Sequence, residues 1–498
     1  MSTRASVLSD WLAQRLDRAS DQPIYRQLHR LLQQAILTRE LAAGAKVPSS
    51  RLLAAELGVG RNTVTQVYEQ LAIEGYVSSA TGRGTFVADS APDEILFDDA
   101  PPAAVAPPDM QSTLSARGAR LITGAGVSKR QGGAFMPGVP DVSRFPSRVW
   151  NRLHAKYWRR PLPDLLTYAP GGGHSGLRHA LADYLRTSRS VRCTPEQIVV
   201  TTGIHQSIDL AARLLADSGD TIWTEDPCYW GVRSVLQVSG LDLKAIPVDA
   251  EGIAPTPADL AAPPRLMLVT PSHQYPLGMV MSLARRRMLL EFARQHRCWI
   301  VEDDYDSEFR YGSRPLASLQ GMDTGGQVIY VGSFGKTLFP GLRIGYVVVP
   351  EALAESFATA SAELYREGQL LQQAVLAEFI EQGHFTSHIR RMRVLYGQRR
   401  DVMLATIAAR YGDTLAIAGG DAGLHLVLKL PHGIDDRAVA AAALAENIVV
   451  RPLSGYYAHR PDAEPGLLIG YACVPDEEIA AAFETLAGVI DGFLQGRD

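Results

Sequence analysis

The chain has 498 residues, 46% of them apolar and 20% charged, which is ordinary globular composition and enough material for several domains. No apolar run approaches the roughly 18 to 20 residues that span a bilayer, and the N-terminal stretch has neither a long apolar run nor a small-residue cleavage site. We therefore expect neither a membrane protein nor a secreted one. The four scattered cysteines lack C-x-x-C spacing, which favours a reducing cytoplasm over a disulfide framework or a zinc site.

The first predicted elements are three helices followed by a hairpin. Apolar residues recur at helical spacing from Ile24 to Ile36, and a second, short helix is opened by Ser49 or Ser50 and closed by Gly58. A third helix follows the turn GVG, and polar side chains line its free face: Arg61, Asn62, Thr65 and Gln66. The stretch GYVSSATGRGTFV predicts a two-stranded hairpin. Two helices joined by a tight turn, with hydrogen-bond donors on the free face of the second, are typical of a helix-turn-helix.

The distribution of charge matters more than its total. The net charge is −4, yet residues 1–88 carry ten basic and seven acidic side chains, while the remaining residues carry 39 and 46. The excess of positive charge lies in the N-terminal part of the chain, where the predicted helix-turn-helix would contact DNA. The imbalance is small, and a plain three-helix scaffold with a solvated polar face remains the alternative.

One long motif favours DNA binding. The run P-S-S-R-x-L-A-x-x-L-G-V-x-R-x-T-V-x-x-x-Y-x-x-L-x-x-E-G-Y-V…G-x-G-T-F-V, within residues 23–87, resembles the winged helix of the GntR family of regulators. The resemblance implies that double-stranded operator DNA is contacted by residues of the second and third helices and of the wing: Arg51, Arg61, Asn62, Thr63, Thr65, Gln66, Gly82 and Arg83. The sequence departs from the family at Gly60, where Ser or Thr is usual, and this costs only a few tenths of a kcal/mol.

A change of composition divides the chain. The segment DSAPDEILFDDAPPAAVAPPDM is rich in Pro, Ala and Asp and cannot bury much apolar surface, so it predicts an extended linker. We expect a DNA-binding domain over residues 1–88, a linker over 89–132 and a second large domain over 133–498.

The large domain alternates short apolar runs with helical patterns. The runs QIVVTT, TIWTED, RLMLVTP, CWIVEDDY and VIYVGSF are buried-strand candidates, each followed by loop residues and then a helix. This alternation predicts an α/β domain with a mostly parallel sheet. Polar residues follow these strands, so they are expected to meet in a crevice outside the carboxyl ends of the sheet.

The segment SFGKTLFPGLRIGY contains a lysine that could form a Schiff base, with phosphate donors on either side. Lys336 follows a strand candidate, and the Ser333 hydroxyl and the Arg343 guanidinium flank it as phosphate donors. A Schiff-base lysine also needs an acidic partner for a pyridine nitrogen, and CWIVEDDYDSEF supplies acids at a strand end. Tyr229 or Trp230 is placed to stack on a planar ring, and the turn in TTGIHQ forms an anion site at a helix start.

Together these motifs resemble the fold-type I aminotransferases, which have a large domain with a mostly parallel sheet and a small C-terminal α+β domain. Joined to a GntR-like head, the chain resembles the MocR-type regulators, whose members include GabR- and PdxR-like proteins. The resemblance implies pyridoxal 5′-phosphate as cofactor, held as an aldimine by Lys336, with Asp303 on the pyridine nitrogen, Tyr305 on the phenolic oxygen and Tyr229 on the ring face. It further implies phosphate contacts from Ser333, Arg343 and the turn Gly203, Ile204 and His205. Tyr168 resembles the tyrosine that reaches the phosphate of a neighbouring subunit, which implies a homodimer, head-to-tail in this family.

Two departures from aminotransferases bear on function. Tyr275, in SHQYPLG, takes the place of the asparagine that bonds the cofactor in H-N-P-x-G. Leu468, in PGLLIGYACVP, takes the place of the arginine that grips the substrate α-carboxylate. Arg451 is a candidate replacement as an effector contact, although a salt bridge elsewhere is as good an explanation.

Three hypotheses compete. In the first, the chain is a transcription regulator that senses pyridoxal phosphate itself or a small amine or amino acid, and is not an enzyme. In the second, it is a working aminotransferase with a tethered DNA module, against which Leu468 counts. In the third, the large domain only dimerises the DNA heads and binds no cofactor, against which the presence of Lys336 and Asp303 counts.

Overall fold

The computed structural model describes residues 3–80, 83–89, 114–123, 132–159, 162–169, 171–312, 317–366, 368–458 and 463–496. They form two compact units, Met1–Thr113 and Leu114–Asp498.

The N-terminal unit is helical with a short hairpin. Its elements are α1 (Thr3–Arg15), α2 (Ile24–Leu37), α3 (Ser50–Leu57), α4 (Arg61–Ile73), β1 (Val77–Ala80) and β2 (Gly84–Val87). The three predicted helices and the antiparallel hairpin are confirmed. Helix α1 was not predicted because only two of its described side chains, Leu8 and Leu12, are apolar and buried, and two residues are a weak periodic signal.

Local capping sets the ends of the two helix-turn-helix helices. The Ser49 hydroxyl accepts a hydrogen bond from the Leu52 amide at 3.2 Å and so caps the start of α3. Gly58 ends α3 in the left-handed region with φ 62°, a conformation that glycine adopts without the clash a Cβ would bring. Gly60 begins α4 without any side-chain cap.

The larger unit contains thirteen described α-helices. They are α5 (Ala116–Thr123), α6 (Ser147–Arg159), α7 (Ser175–Arg189), α8 (Ile204–Leu215), α9 (Trp230–Val238), α10 (Pro257–Leu260), α11 (Leu283–His296), α12 (Leu319–Met322), α13 (Ala354–Tyr365), α14 (Leu370–Glu381), α15 (His384–Tyr411), α16 (Asp436–Ala445) and α17 (Asp476–Gln495). Helix α5 lies within residues 89–132, which the composition assigned to a linker. The eight residues of α5 lack proline and include two Ala, two Arg and one Leu, which are good helix formers. No helix in the described part of the chain is both long and apolar enough to cross a bilayer.

An eight-stranded sheet forms the centre of this unit. Its strands are β3 (Ile198–Thr201), β4 (Thr221–Asp226), β5 (Asp242–Asp249), β6 (Gly252–Ile253), β7 (Leu266–Val269), β8 (Trp299–Asp304), β9 (Val328–Ser333) and β10 (Gly345–Val348). Their spatial order is β3-β10-β9-β8-β7-β4-β5-β6. The five strands from β9 to β5 run parallel, as predicted, so their carboxyl ends lie along one edge of the sheet.

Three strands of the large sheet were not predicted. Strand β10 runs antiparallel to both of its neighbours, β3 and β9, and returns directly from the loop after β9. Strand β5 has only one fully buried residue, Ile246, and carries a proline and two aspartates, which weakens its sequence signal. Strand β6 has only two residues.

A second, smaller sheet lies toward the C-terminus, as expected for a small α+β domain. Its strands are β11 (Ile417–Gly419), β12 (His425–Lys429), β13 (Arg451–Pro452) and β14 (Gly466–Gly470), in the order β11-β12-β14-β13 and all antiparallel. One apolar core, which includes Phe483 of α17 and Tyr396 of α15, joins this sheet to the helices around it.

Candidate cofactor crevice and DNA-contacting face

Lys336 lies in the short connection between β9 and β10. Its Nζ donates a hydrogen bond to the Gly138 carbonyl at 2.7 Å. Gly138 has φ 69°, and a Cβ on it would lie 2.7 Å from the same Nζ. A side chain at this position would strain the backbone and push the Lys336 amine aside.

The pKa of Lys336 is lowered from its usual value. Burial lowers the pKa of its ammonium group, and the negative charges of Asp306 and Asp303 oppose that shift. An uncharged amine is the form that attacks a carbonyl carbon.

Asp303 lies near the end of β8 with an unsatisfied carboxylate oxygen. It is 7% exposed, and its Oδ1 has no hydrogen-bond partner among the described residues. Burial raises the pKa of Asp303 well above its usual value, the neighbouring Asp304, Asp306 and Glu225 raise it further, and Lys336 opposes them. A buried carboxylate oxygen without a partner is costly, and a protonated pyridine nitrogen is a donor that would satisfy it.

The start of α8 forms an anion-binding turn. Gly203, with φ 123°, precedes the helix, whose first amides point away from the helix body. Arg343 adopts φ 50°, and its Nη2 would lie 3.5 Å from a Cβ placed on Gly203. The Ser333 hydroxyl accepts a hydrogen bond from the Gly335 amide at 3.2 Å. The structure thus brings a guanidinium to the helix start, which suits a phosphate.

Aromatic rings line the next part of the crevice. Tyr229 stacks on His205 with ring centroids 5.7 Å apart and 21° between planes, and Tyr275 meets it edge-on at 5.8 Å. Tyr229, not Trp230, makes these contacts with predicted site residues, although the two rings adjoin each other at 5.1 Å. The His205 Nε2 is buried without a hydrogen-bond partner among the described residues.

A histidine and an aspartate that sequence reasoning did not select lie behind Tyr305. The His273 Nδ1 is 2.9 Å from the Tyr305 hydroxyl and 2.9 Å from the Asp306 Oδ1. One ring nitrogen either donates or accepts, so the His273 Nδ1 either donates its N–H or accepts the proton of the Tyr305 hydroxyl. The available signal was position: His273 follows β7 and Asp306 follows β8, at the edge where site residues gather.

Leu468 has apolar surroundings. Leu468, on β14, is fully buried in a cluster with Leu277, Val427, Leu453 and Tyr456, against which Tyr229 and Tyr275 pack. The Tyr275 and Tyr456 hydroxyls are 3.4 Å apart.

Arg451 and Tyr168, the two remaining predicted residues of this unit, lie in different surroundings. Arg451 is half-buried, with its Nη2 3.5 Å from the Met136 Sδ. Tyr168 is 74% exposed.

The described residues among those predicted to contact DNA lie on α3, on α4 and beside β2. Arg61, Asn62 and Gln66 are exposed on α4, where Arg61 is the first helical residue. Thr63 and Thr65 are half-buried on the same helix, while Arg51 and Arg83 are exposed on α3 and beside β2. Gly82 lies outside the described residues.

The two units define a class of protein: a winged helix-turn-helix joined to an aminotransferase fold. Residues 24–87 match the model of "Bacterial regulatory proteins, gntR family", and residues 153–486 match "Aminotransferase class I and II". The fold of the larger unit is that of a Pyrococcus horikoshii kynurenine aminotransferase, with a TM-score of 0.69 over 77% of this chain and 98% of that one at 24% identity.

Relatives that share both units carry the family assignment. The chain is 40% identical to the probable rhizopine catabolism regulatory protein MocR of Rhizobium meliloti, over 95% of this chain and 94% of that protein. It is 32% identical to the pyridoxine biosynthesis transcriptional regulator PdxR of Corynebacterium glutamicum, over 89% and 90% of the two chains. The chain belongs to the MocR-type subfamily of GntR transcriptional regulators.

Proposed function

We propose that the aminotransferase-like unit of this regulator holds pyridoxal 5′-phosphate at Lys336 and reports its presence, alone or with a small amine, to the DNA-binding unit. The observation that carries the proposal is Asp303, whose buried Oδ1 has no partner among the described residues. A folded protein keeps such a group only where something compensates its desolvation.

The remaining residues of the crevice fit the same cofactor. Arg343, Ser333 and the start of α8 would bind its phosphate, Tyr229 would stack on its ring, and the Tyr305 hydroxyl would bond its phenolic oxygen. Tyr275 adjoins Tyr229 and Tyr305 and would close the same side of the ring. The bound cofactor would supply an aldehyde that condenses with primary amines.

The apolar surroundings of Leu468 support sensing rather than turnover of α-amino acids. A substrate carboxylate there would lose a charge-assisted pair worth about 1.5 to 3 kcal/mol, which corresponds to a loss of affinity of about tenfold or more. A protein that has the residues for cofactor contacts but lacks the arginine for a substrate α-carboxylate is suited to detecting the cofactor itself or an amine without an α-carboxylate.

Two further parts of the proposal concern partners. Arg61 lies at the positive start of α4 with Asn62 and Gln66 beside it, an arrangement suited to phosphates and base edges of operator DNA. Tyr168 exposes 74% of its surface, which supports a role in reaching the cofactor phosphate of a second subunit in a head-to-tail homodimer.

The test is to trap the cofactor. Protein incubated with pyridoxal 5′-phosphate is reduced with borohydride and mapped by peptide mass spectrometry. We expect a label on Lys336 that Lys336→Ala removes and Lys156→Ala, a change at an exposed lysine of α6, leaves in place. A wild-type protein without label at Lys336 would refute the anchor.

Operator affinity is then measured with and without the cofactor, by fluorescence anisotropy of labelled DNA. Equal affinities in the two states, with and without added amines, would refute the sensing role and leave the anchor standing.

A further inference from the structure

The segment before α3 extends the hairpin β1–β2, the wing of the N-terminal unit. The Val47 amide donates to the Thr85 carbonyl at 2.9 Å, and Lys46 pairs with Phe86 in an antiparallel bridge. Strand β2 therefore has β1 on one side and this short segment on the other.

The side chain of Lys46 projects from the outer face of the wing. Successive residues of an extended segment point to opposite faces, and the neighbouring Val47 is 3% exposed in the core of the unit. Lys46 therefore shares the outer face with Phe86, the residue opposite it. The Lys46 Nζ lies 5.8 Å from the centroid of the Phe86 ring, and Lys46 is exposed to solvent.

Gly84 makes room for the stem of this lysine. Gly84 has φ 113°, and a Cβ on it would lie 2.6 Å from the Lys46 Cε and 3.3 Å from the Nζ. The lysine thus crosses directly over the Gly84 backbone, next in the chain to the exposed Arg83. Because Gly84 is the first residue of β2, the ammonium group lies near the turn of the hairpin, where the wing is predicted to meet DNA.

The same segment leads into the helix-turn-helix. The Tyr68 hydroxyl of α4 donates to the Pro48 carbonyl at 2.8 Å, and Ser49 caps the start of α3. Arg51, which is predicted to contact DNA, follows Lys46 by five positions. Lys46 therefore lies on the connection between the predicted contacts of the wing and those of the helices.

The chemistry of the side chain suits a phosphate. A lysine ammonium group is a compact charge with three donors, and lysine and arginine make many of the contacts between proteins and the DNA backbone. Among the described residues the Lys46 ammonium group forms no ion pair, so its charge is available to a ligand. A solvated lysine that only packs on the Phe86 ring is the alternative.

We propose that Lys46 binds a phosphate of the DNA backbone beside the wing, together with Arg83. The inference rests on the proposed contact of the N-terminal unit with DNA and does not depend on the cofactor. Because every base pair carries the same phosphates, Lys46 adds to the affinity for any duplex and does not select a sequence.

The experiment measures DNA affinity of the full-length protein by fluorescence anisotropy over a range of salt concentrations. One labelled duplex is selected from a random pool for tight binding to the wild-type protein, and an unselected duplex of equal length represents non-specific DNA. Lys46→Met keeps an unbranched stem over Gly84 and removes the charge.

We expect Lys46→Met to weaken binding of both duplexes about fivefold at physiological salt and to reduce the slope of log affinity against log salt by about one for each bound N-terminal unit. Lys46→Arg should retain the wild-type slope. The control Arg30→Gln, which removes an exposed charge from α2, should retain it as well.

Lysine acetylation gives a readout that needs no substitution. Lys46 is the only lysine in residues 1–88, so one peptide reports on it by mass spectrometry. We expect bound DNA to protect Lys46 and to leave Lys429 of the small sheet, whose side chain is 39% exposed, labelled as in the free protein.

Several outcomes would overturn the inference. Equal salt slopes for wild type and Lys46→Met, or equal acetylation of Lys46 in free and bound protein, would each refute it. A loss confined to the selected duplex would make Lys46 a reader of base edges and would refute the phosphate assignment. Thermal unfolding shows whether the variants are folded, and the acetylation result stands whether or not they are.

These failures are distinguishable from failure of the proposed function. If Arg61→Ala weakens binding while Lys46→Met does not, the proposed contact of α4 with DNA stands and only the inference falls. If the wild-type protein binds none of the duplexes in the pool, both fall.

Discussion

The two units present their functional side chains in opposite ways. On α4, the side chains of Arg61, Asn62 and Gln66 are exposed to solvent, and the DNA that they are proposed to bind is also hydrated. In the crevice, Asp303, His205 and His273 carry buried polar atoms that have no partner among the described residues. Leaving polar side chains exposed on α4 costs almost no folding free energy. Burying polar atoms of the crevice without partners carries a desolvation penalty, which a bound ligand can relieve.

The difference sets the size of the effects to be expected. Removing a group from an exposed face loses one contact that water partly replaces, while removing one from a buried site leaves its neighbours or its ligand without compensation.

The largest expected effect is a loss of stability of the larger unit at acidic pH, caused by a buried histidine. His425 of β12 donates from Nε2 to the Pro276 carbonyl at 3.1 Å, and burial lowers its pKa from 6.5 to about 4. The folded state binds this proton more weakly than the unfolded chain, so stability falls as the pH drops from 6.5 to 4, by up to about 3 kcal/mol.

Denaturant unfolding across this pH range checks the effect. His425→Gln keeps the donor to Pro276 and should flatten the decline, whereas the exposed control His296→Gln should not. Part of the decline should remain, because burial also lowers the pKa of His388 to about 4. Identical pH profiles for wild type and His425→Gln would show that His425 is not the group responsible.

A second prediction concerns Asp303 and the cofactor. Asp303→Asn keeps the shape and removes the charge, so cofactor affinity should fall by about 1.5 to 3 kcal/mol, or roughly 10- to 150-fold. Equilibrium dialysis measures the loss, with Asp217→Asn on the exposed loop after α8 as the control. Unchanged affinity would mean that another group compensates the pyridine nitrogen.

A third prediction concerns the exposed face. Arg61→Ala should weaken operator binding by about 1 to 2 kcal/mol and reduce the slope of log affinity against log salt by about one, while cofactor loading stays intact. The matched control is Arg30→Ala, which removes the same charge from α2 of the same unit. If both variants bind the operator like wild type, α4 is not the recognition helix.

The smallest effect lies in the capping of the helix-turn-helix. Ser49→Ala removes the acceptor for the Leu52 amide and should cost the N-terminal unit about 1 kcal/mol. Gly60→Ser should instead gain a few tenths of a kcal/mol, since φ −64° and ψ 136° at this N-cap suit serine. Thermal unfolding of the two variants, followed separately from the larger unit, should shift in opposite directions.

The sequence predicted what depends on neighbours along the chain. The ends of α3 follow from the capping residues Ser49 and Gly58. Ser333, Lys336 and Arg343 lie within one short segment, so their spacing could be recognised from the sequence alone. Strands β3, β7 and β8 were recognisable because each is a nearly continuous buried run.

What escaped prediction depends on contacts between distant parts of the chain. Gly138 matters only because Lys336, 198 positions later, reaches its carbonyl. His273 and Asp306 acquire a role because β7 and β8 run parallel and side by side. The pairing of Arg451 opposite Leu468 depends on the register of β13 on β14, which periodicity does not reveal.

The division of the crevice between two sheets has an evolutionary consequence. Lys336 and Asp303 are held by the eight-stranded sheet, while Leu468 and Arg451 belong to the four-stranded one. Under the proposed function, substitutions on the small sheet would change the choice of ligand while the residues proposed to anchor the cofactor stay in place. A duplicated gene of this kind could then diversify through folded intermediates that differ mainly in the small sheet.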